Sequence, residues 1–334
     1  MLERILEVKD IVDEKITDIL DDTNWADQRI TPILKEYVLR GGKRLRPLAI
    51  FVTAEMFGVN DPAKILPTAV AFELLHNGTL LHDDIIDESE LRRGKPTMHI
   101  EHGLGMTILV TDYLLGIIYA ILTSNYGVLG EKKATKILEL VNNSFITITR
   151  AQALEFDVSN SATEVDEQTI IEILLGKTAS LFRACIIAGG IIGGVSSEEE
   201  IDALAEYANG VGVAFQLQDD ALNVVGEEKD YGKEIGGDVL EGKVTLLLCR
   251  AWQKANEEQR NVIRNVFSKK REEKRLEDVS KVISIYNELE IVEEVSNEAK
   301  KWQERGINAL KKLPDGDARD FLEFLARYVI ERSF

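Results

Sequence analysis

The sequence predicts an all-α protein: a single domain of many helices spanning residues 1–334. Three observations carry that expectation. Only six prolines occur in 334 residues. Long stretches repeat apolar residues at three- and four-residue spacing, the period of one helix face. Strand-like alternation is rare and short, and no Gly/Ser-rich or Pro-rich linker divides the chain.

Each element follows from its own pattern. Ile5, Val8, Ile11, Val12, Ile16, Ile19 and Leu20 make an N-terminal amphipathic stripe, acidic on its other face and without the apolar core of a secretory signal. Asp61-Pro62 reads as a helix start, with a capping aspartate before proline at the first position. Met106 to Leu122 is the best membrane candidate. Asp112 interrupts it and it is shorter than a span of about 20 apolar residues, so the expectation is a helix buried on most sides. Leu204, Tyr207, Ala208, Val211 and Phe215 form a second stripe. Gly41-Gly42, Asn60-Asp61-Pro62, Gly94-Lys95-Pro96, Gly236-Gly237 and Pro314-Asp315-Gly316 mark loops. Residues 268–278, SKKREEKRLED, read as a solvated charge run.

A core can be built, since 45% of residues are hydrophobic. The net charge of −18 argues against nucleic acid and against an anionic membrane surface as partners. It leaves room for a phosphate-rich substrate reached through metal ions held by carboxylates. Cys185 and Cys249 are too few and too distant for a disulfide framework or a zinc cluster, and read as buried, reduced thiols of a cytoplasmic protein.

Two acidic clusters carry the chemistry. On a helix, Asp83 and Asp87 stand at i and i+4 and share a face, with Asp84 about 100° around. Leu80, Leu81, Ile85 and Ile86 flank them. Carboxylates on a partly buried face repel one another and lose hydration, so a cation must compensate. Hard oxygens on one face suit Mg²⁺, which keeps waters and bridges to substrate phosphates. The plainer reading of a lone DDxxD is a solvated acidic face; the apolar flanks weigh against it, and so does a second cluster. There Gln216, Asp219, Asp220 and Asn223 recur at helical steps. Basic residues interleave with these faces: Lys43, Arg44 and Arg46 after Gly41-Gly42, then Arg92, Arg93 and Lys95, then Lys177, then Lys233 and Lys243. Arg suits bidentate phosphate contacts and Lys supplies a point charge. No nucleotide P-loop surrounds Gly176-Lys177-Thr178, because Ile171 stands where its first glycine would be.

From about Gly41 to Thr245 the chain resembles the trans-isoprenyl diphosphate synthases. GGKRLRP, LLHDDIIDESELRRGKPT, GKTASLF, FQLQDDALNVVG and YGKEIGGDVLEGKVT fall in family order. The resemblance implies the isoprenoid synthase fold, with two aspartate-rich helices facing a deep central cavity. It implies a Mg²⁺-dependent prenyltransferase, with up to three ions per site held by Asp83, Asp87 and Asp219, and Asp84 and Asp220 in support. Lys43, Arg46, His76 and Arg93 are the implied isopentenyl diphosphate contacts. Arg92, Lys177, Thr178, Gln216, Lys233 and Lys243 are the implied contacts to an allylic diphosphate. Family members usually form homodimers. Asn223 departs from the family, which commonly has aspartate there, and Thr111 stands where glycine is common.

The implied reaction ionises the allylic diphosphate and joins it to isopentenyl diphosphate, with Thr178 and the Gln216 carbonyl steadying the cation. Gly78, five residues before Asp83, costs roughly 1 kcal/mol against alanine in a helix and invites a reason. Close helix packing is one. Room for a growing tail is the other, with Thr79 beside it and Leu74 and Leu75 as a later floor, implying a geranylgeranyl or longer product. Two rival functions are a terpene- or squalene-type synthase, which has no need of the GGKRLRP and RRG set, and a non-catalytic regulatory subunit, expected to lose the metal carboxylates that this chain keeps.

Overall fold

A computed structural model of the chain describes residues 2–159, 165–225 and 235–330. Helix dominates, as the sequence predicts. Among the described residues the only strands are a two-residue antiparallel pair, β1 (Leu91–Arg92) and β2 (Lys95–Pro96). The chain resolves into two compact units. The first holds Met1–Ser144, Ala184–Ala205 and Lys312–Leu322; the second holds Phe145–Arg183, Glu206–Lys311 and Glu323–Phe334.

In the first unit, α1 (Leu2–Asp21) buries Ile5, Val8, Val12, Ile16 and Leu20, five members of the stripe read from the sequence. Helices α2 (Thr31–Leu39), α3 (Leu45–Met56) and α4 (Pro62–Ile86) follow. The start of α4 is set as its sequence requires: the Asp61 side chain accepts from the Ala63 N–H, and Pro62 occupies the first turn. Helix α4 packs against α3 and, most extensively, against α6 (Leu104–Leu129), which follows the short α5 (Met98–His102). Leu48, Ile50, Phe72, Leu74, Leu81, Val110 and Leu114 are wholly buried in this core. One expectation is corrected here. Helix α6 is not buried on most sides: only 39% of its most apolar stretch is covered, and Ile108, Leu109, Tyr119 and Tyr126 are exposed. Within its unit, α4 covers one face of a helix that is apolar nearly all round. By length and composition, α6 is the one helix among the described residues that could cross a membrane.

Helix α7 (Glu131–Ser159) contributes to both units. The second unit continues with α8 (Glu167–Leu174), a π-helical turn (Leu175–Ala179), α9 (Ser180–Gly193) and α10 (Glu198–Val225). Beyond residue 235 come α11 (Gly237–Glu241), α12 (Leu246–Lys254), α13 (Glu257–Phe267), α14 (Leu276–Glu288), α15 (Ile291–Ala309) and α16 (Asp317–Ile330). Its core joins Leu174, Ala179, Val213 and Leu217 to Val239, Leu247, Leu248, Val279, Val282 and Tyr286. Both cysteines are buried free thiols, and burial pushes the Cys249 thiol up to about 11.

Candidate active site

The first aspartate-rich face sits at the C-terminal end of α4. Asp83 and Asp87 are half-buried, while Asp84, one position round the helix, is 1% exposed. The three therefore divide the work. Asp84 is locked in the protein: Arg92 Nε donates to its Oδ1 at 2.5 Å and the Tyr37 hydroxyl donates to its Oδ2 at 3.1 Å. Burial pushes the Asp84 carboxyl up, and Arg92 and Tyr37 pull it back. Asp84 thus ties the end of α4 to α2 and to the β1–β2 hairpin.

Beside this face lies an excess of positive charge. Burial, joined by the charges of Arg46, Arg93, Arg92 and Arg44, holds the His76 imidazole well below its usual range. Arg44 is spoken for: it pairs with Asp13 at 2.7 Å and Glu73 at 2.8 Å, and donates to the Val38 carbonyl. Arg46 has a buried Nε with no partner, and burial pulls its guanidinium downward. Arg93 donates to the Gly41 carbonyl at 2.6 Å, and is pulled downward by burial and by neighbouring Arg44. Cations crowded in this way call for an anion with several oxygens. The backbone is bent to gather them. Arg44 (φ 51°) and Arg93 (φ 54°) both sit in the left-handed region that non-glycine residues rarely adopt. Gly42 makes the approach possible: a Cβ there would stand 3.0 Å from Arg93 Nη2. Lys43 lies in the same turn and is exposed.

The second aspartate-rich face is at the C-terminal end of α10. The Thr178 hydroxyl donates to Gln216 Oε1 at 3.1 Å, and Gln216 Nε2 donates to Asp220 Oδ1 at 2.9 Å. Thr178 and Lys177 lie in the π turn, a geometry that often marks functional positions. Close helix packing fixes this turn, since a Cβ on Gly176 would come 2.6 Å from Ala151 Cβ on α7. Lys177 Nζ pairs with Glu155 at 2.6 Å, and Gln152 also donates to that carboxylate. Asp220 is buried and its carboxyl is pushed far up by burial, by Asp238 and by Asp219, against the opposing pull of Gln216 and Lys243. Lys243, which acts on Asp220, also pairs with Glu241 at 2.7 Å.

Asn223 has a role the sequence left open. It is 2% exposed; its Oδ1 accepts from the Asp238 N–H at 3.1 Å and its carbonyl accepts from the Gly236 N–H at 2.7 Å. It anchors the segment that begins α11. Lys233 lies outside the described residues.

Both faces fit Mg²⁺. Each offers hard carboxylate oxygens, the donor type that ion prefers, and among the described residues no group of three His, Cys, Asp or Glu is itself placed to hold a metal ion. Gly78 is buried in the α4–α6 packing, where an added Cβ would stand 3.4 Å from Leu114 Cδ2 with no other neighbour within 4 Å. Thr79 donates to the His76 carbonyl and is half-buried; Leu74 and Leu75, one turn deeper, are 0% and 2% exposed.

Sequence reasoning missed Tyr37, Glu155, Asp238 and Lys274. The spacing of Gln152 and Glu155, one helical turn apart, was the one local signal available for Glu155. Lys274 also corrects the reading of 268–278 as wholly solvated: it is 9% exposed, and its Nζ donates to the Val239 and Leu240 carbonyls.

The chain is similar to known proteins along most of its length. A family model described as polyprenyl synthetase matches residues 27–286. The short chain isoprenyl diphosphate synthase of Methanothermobacter thermautotrophicus is 32% identical over 338 residues, covering 98% of this chain and 100% of the relative. The geranylgeranyl diphosphate synthase of Saccharolobus solfataricus is 34% identical, covering 87% of each. The crystal structure of geranylgeranyl pyrophosphate synthetase from Pyrococcus horikoshii superposes with a TM-score of 0.90 at 33% identity, over 99% of this chain and 98% of that one. That of a Caulobacter crescentus polyprenyl synthase, complexed with calcium and isoprenyl diphosphate, gives 0.88 at 28% identity, over 100% and 98%. The chain belongs to the polyprenyl synthetase family and is a trans-prenyltransferase.

Proposed function

We propose that the whole chain, residues 1–334, acts as one catalytic domain that condenses isopentenyl diphosphate with an allylic diphosphate to give a geranylgeranyl or longer all-trans product. The observation that carries the substrate assignment is the group formed by the buried Arg46 Nε, Arg93 on the Gly41 carbonyl, and His76, on which both arginines act. With Lys43 it takes the diphosphate of isopentenyl diphosphate. Arg92, Lys177, Thr178, Gln216, Lys233 and Lys243 take the allylic diphosphate. Asp83, Asp87 and Asp219 hold up to three Mg²⁺ ions, with Asp84 and Asp220 in support. Bound Mg²⁺ supplies charge neutralisation to the leaving diphosphate.

The protein's own groups do the rest. Lys177 and Lys243 exchange their carboxylate partners for diphosphate oxygens and stabilise the charge that develops as the allylic C–O bond breaks. The Thr178–Gln216 pair turns oxygen dipoles toward the allylic cation. Holding the isopentenyl double bond next to that carbon supplies proximity and orientation. The new C–C bond forms, and the proton lost from the isopentenyl unit passes to the released diphosphate. Gly78 and Thr79 leave room for the tail, with Leu74 and Leu75 as its floor. The exposed apolar side chains of α6 pack against a second copy of the chain in a homodimer.

The test is product chromatography after incubation of the purified protein with labelled isopentenyl diphosphate, Mg²⁺ and dimethylallyl, geranyl or farnesyl diphosphate. Extension of at least one starter to twenty carbons or more is expected. Consumption of an allylic diphosphate without incorporation of label would contradict the assignment.

A further inference from the structure

The segment from Gly236 to Lys243 carries Asp238 and Lys243 and contains α11, a helix of only five residues that cannot hold its own shape. It is fastened at both ends. At the start, Asn223 accepts from the Gly236 and Asp238 N–H groups. Gly236 (φ 76°) lies so close to α14 that a Cβ would fall 2.2 Å from Val279 Cγ1. At the far end, the Val239 and Leu240 carbonyls receive Lys274 Nζ at 2.8 and 3.0 Å, Val239 also accepting from the Gly242 N–H at 3.2 Å. That ammonium is buried, with Phe267 beneath it at 5.4 Å from the ring centroid. Arg271, from the same charge run, reaches Glu241 at 3.3 Å, and Glu241 also holds Lys243. Removing a lysine from water is costly unless its donors are used. The geometry that uses them here cannot come from the charge run alone, because both acceptors lie more than thirty positions upstream.

We propose that Lys274 is a positioning residue for the allylic diphosphate: by clasping the C-terminal carbonyls of α11 it fixes Gly242 and Lys243, so that the Lys243 ammonium is presented in one place. Arg271 serves the same end through Glu241. The inference rests on the role given above to Lys243, and it assigns to the 268–278 run a function separate from chain solubility. Gly242 (φ 78°) fits the arrangement, since a Cβ there would press on Lys274 Nζ at 3.0 Å.

The test compares Lys274→Met, Lys274→Arg and Gly242→Ala with the parent chain in two ways. Amide hydrogen exchange reads the clasp itself and needs no substrate: exchange across 237–243 should quicken at least tenfold in Lys274→Met, with the rest of α10 and α14 unchanged. Steady-state kinetics reads the consequence: the KM for the allylic diphosphate should rise about tenfold in Lys274→Met and in Gly242→Ala, with the KM for isopentenyl diphosphate within twofold. Lys274→Arg, which keeps N–H donors, should recover part of the loss. Unchanged exchange at 237–243 would overturn the clasp. Quickened exchange with both KM values unchanged, or both raised alike, would overturn the positioning role. If the parent chain turns over no allylic diphosphate, the proposed function fails, while the exchange comparison still decides the clasp.

Discussion

Replacing Arg44 by methionine separates the framework of the isopentenyl site from its ligand contacts. Arg44 looks like one more cation of the GGKRLRP turn, yet it is 2% exposed and bonded to α1 through Asp13, to α4 through Glu73 and to α2 through the Val38 carbonyl. Methionine keeps most of the volume and removes all three bonds. Glu73, 3% exposed, would then be left with the Asn77 amide at 3.3 Å as its remaining donor. Stranding one partner of a buried pair costs about 3–5 kcal/mol. For a chain of this length the unfolding entropy is near 0.7 kcal/mol/K, so the melting temperature should fall by about 5 °C. Asp13 is less buried and adds little. Arg44→Met/Glu73→Met removes the stranded charge as well, and should recover at least half of the loss. Urea titration and thermal melting of the parent, both single variants and the double variant complete the cycle. If Arg44→Met lies within about 1 kcal/mol of the parent, or if adding Glu73→Met deepens the loss, the reasoning is refuted.

Three further outcomes are expected. Gly78→Phe fills the space beside Leu114 and should shift the product distribution toward shorter chains; an unchanged distribution removes Gly78 from chain-length control. Burial, aided by Arg271 and opposed by Glu241 and Asp278, lowers Lys274 to about 8. The unfolded chain keeps that proton to about pH 10, so it binds more protons than the folded chain between those values. Stability should therefore rise with pH across about 8 to 10, and this rise should be absent from Lys274→Met. If α6 is a homodimer surface, Ile108→Glu/Leu109→Glu should sediment as a folded monomer where the parent sediments as a dimer; a dimer that survives the change would place the interface elsewhere.

Much of this protein is legible in its sequence because its signals are local. The i, i+4 spacing of Asp83 and Asp87 fixes a shared face before any tertiary contact is known, and the Asp61-Pro62 cap sets the helix that bears them. The same spacing cannot tell Asp84 from its neighbours. What makes Asp84 a structural member is Tyr37, 47 positions away, and the turn that returns Arg92. Glu155 and Lys274 were hidden for the same reason, since their partners lie 22 and 35 positions off. A charge run looks solvated until its one buried member is seen. The role of Asn223 stayed open because only its own helix was in view; its amide oxygen serves the backbone of α11. Helix α6 shows the opposite limit. Its apolar pattern predicts burial, but pattern alone does not say whether the same chain or another surface provides the cover.

The proposed function requires that both aspartate-rich faces serve one metal-assisted reaction. The most direct measurement is single-turnover incorporation of labelled isopentenyl diphosphate by the parent, Asp83→Ala, Asp219→Ala and the double variant, each with Mg²⁺ and with excess chelator. Chelation should abolish incorporation. Each single variant should lose about a thousandfold, and the double variant should lose little more than the worse single, because groups acting on one step do not add. Full incorporation in excess chelator, or losses that multiply in the double variant, would contradict the account.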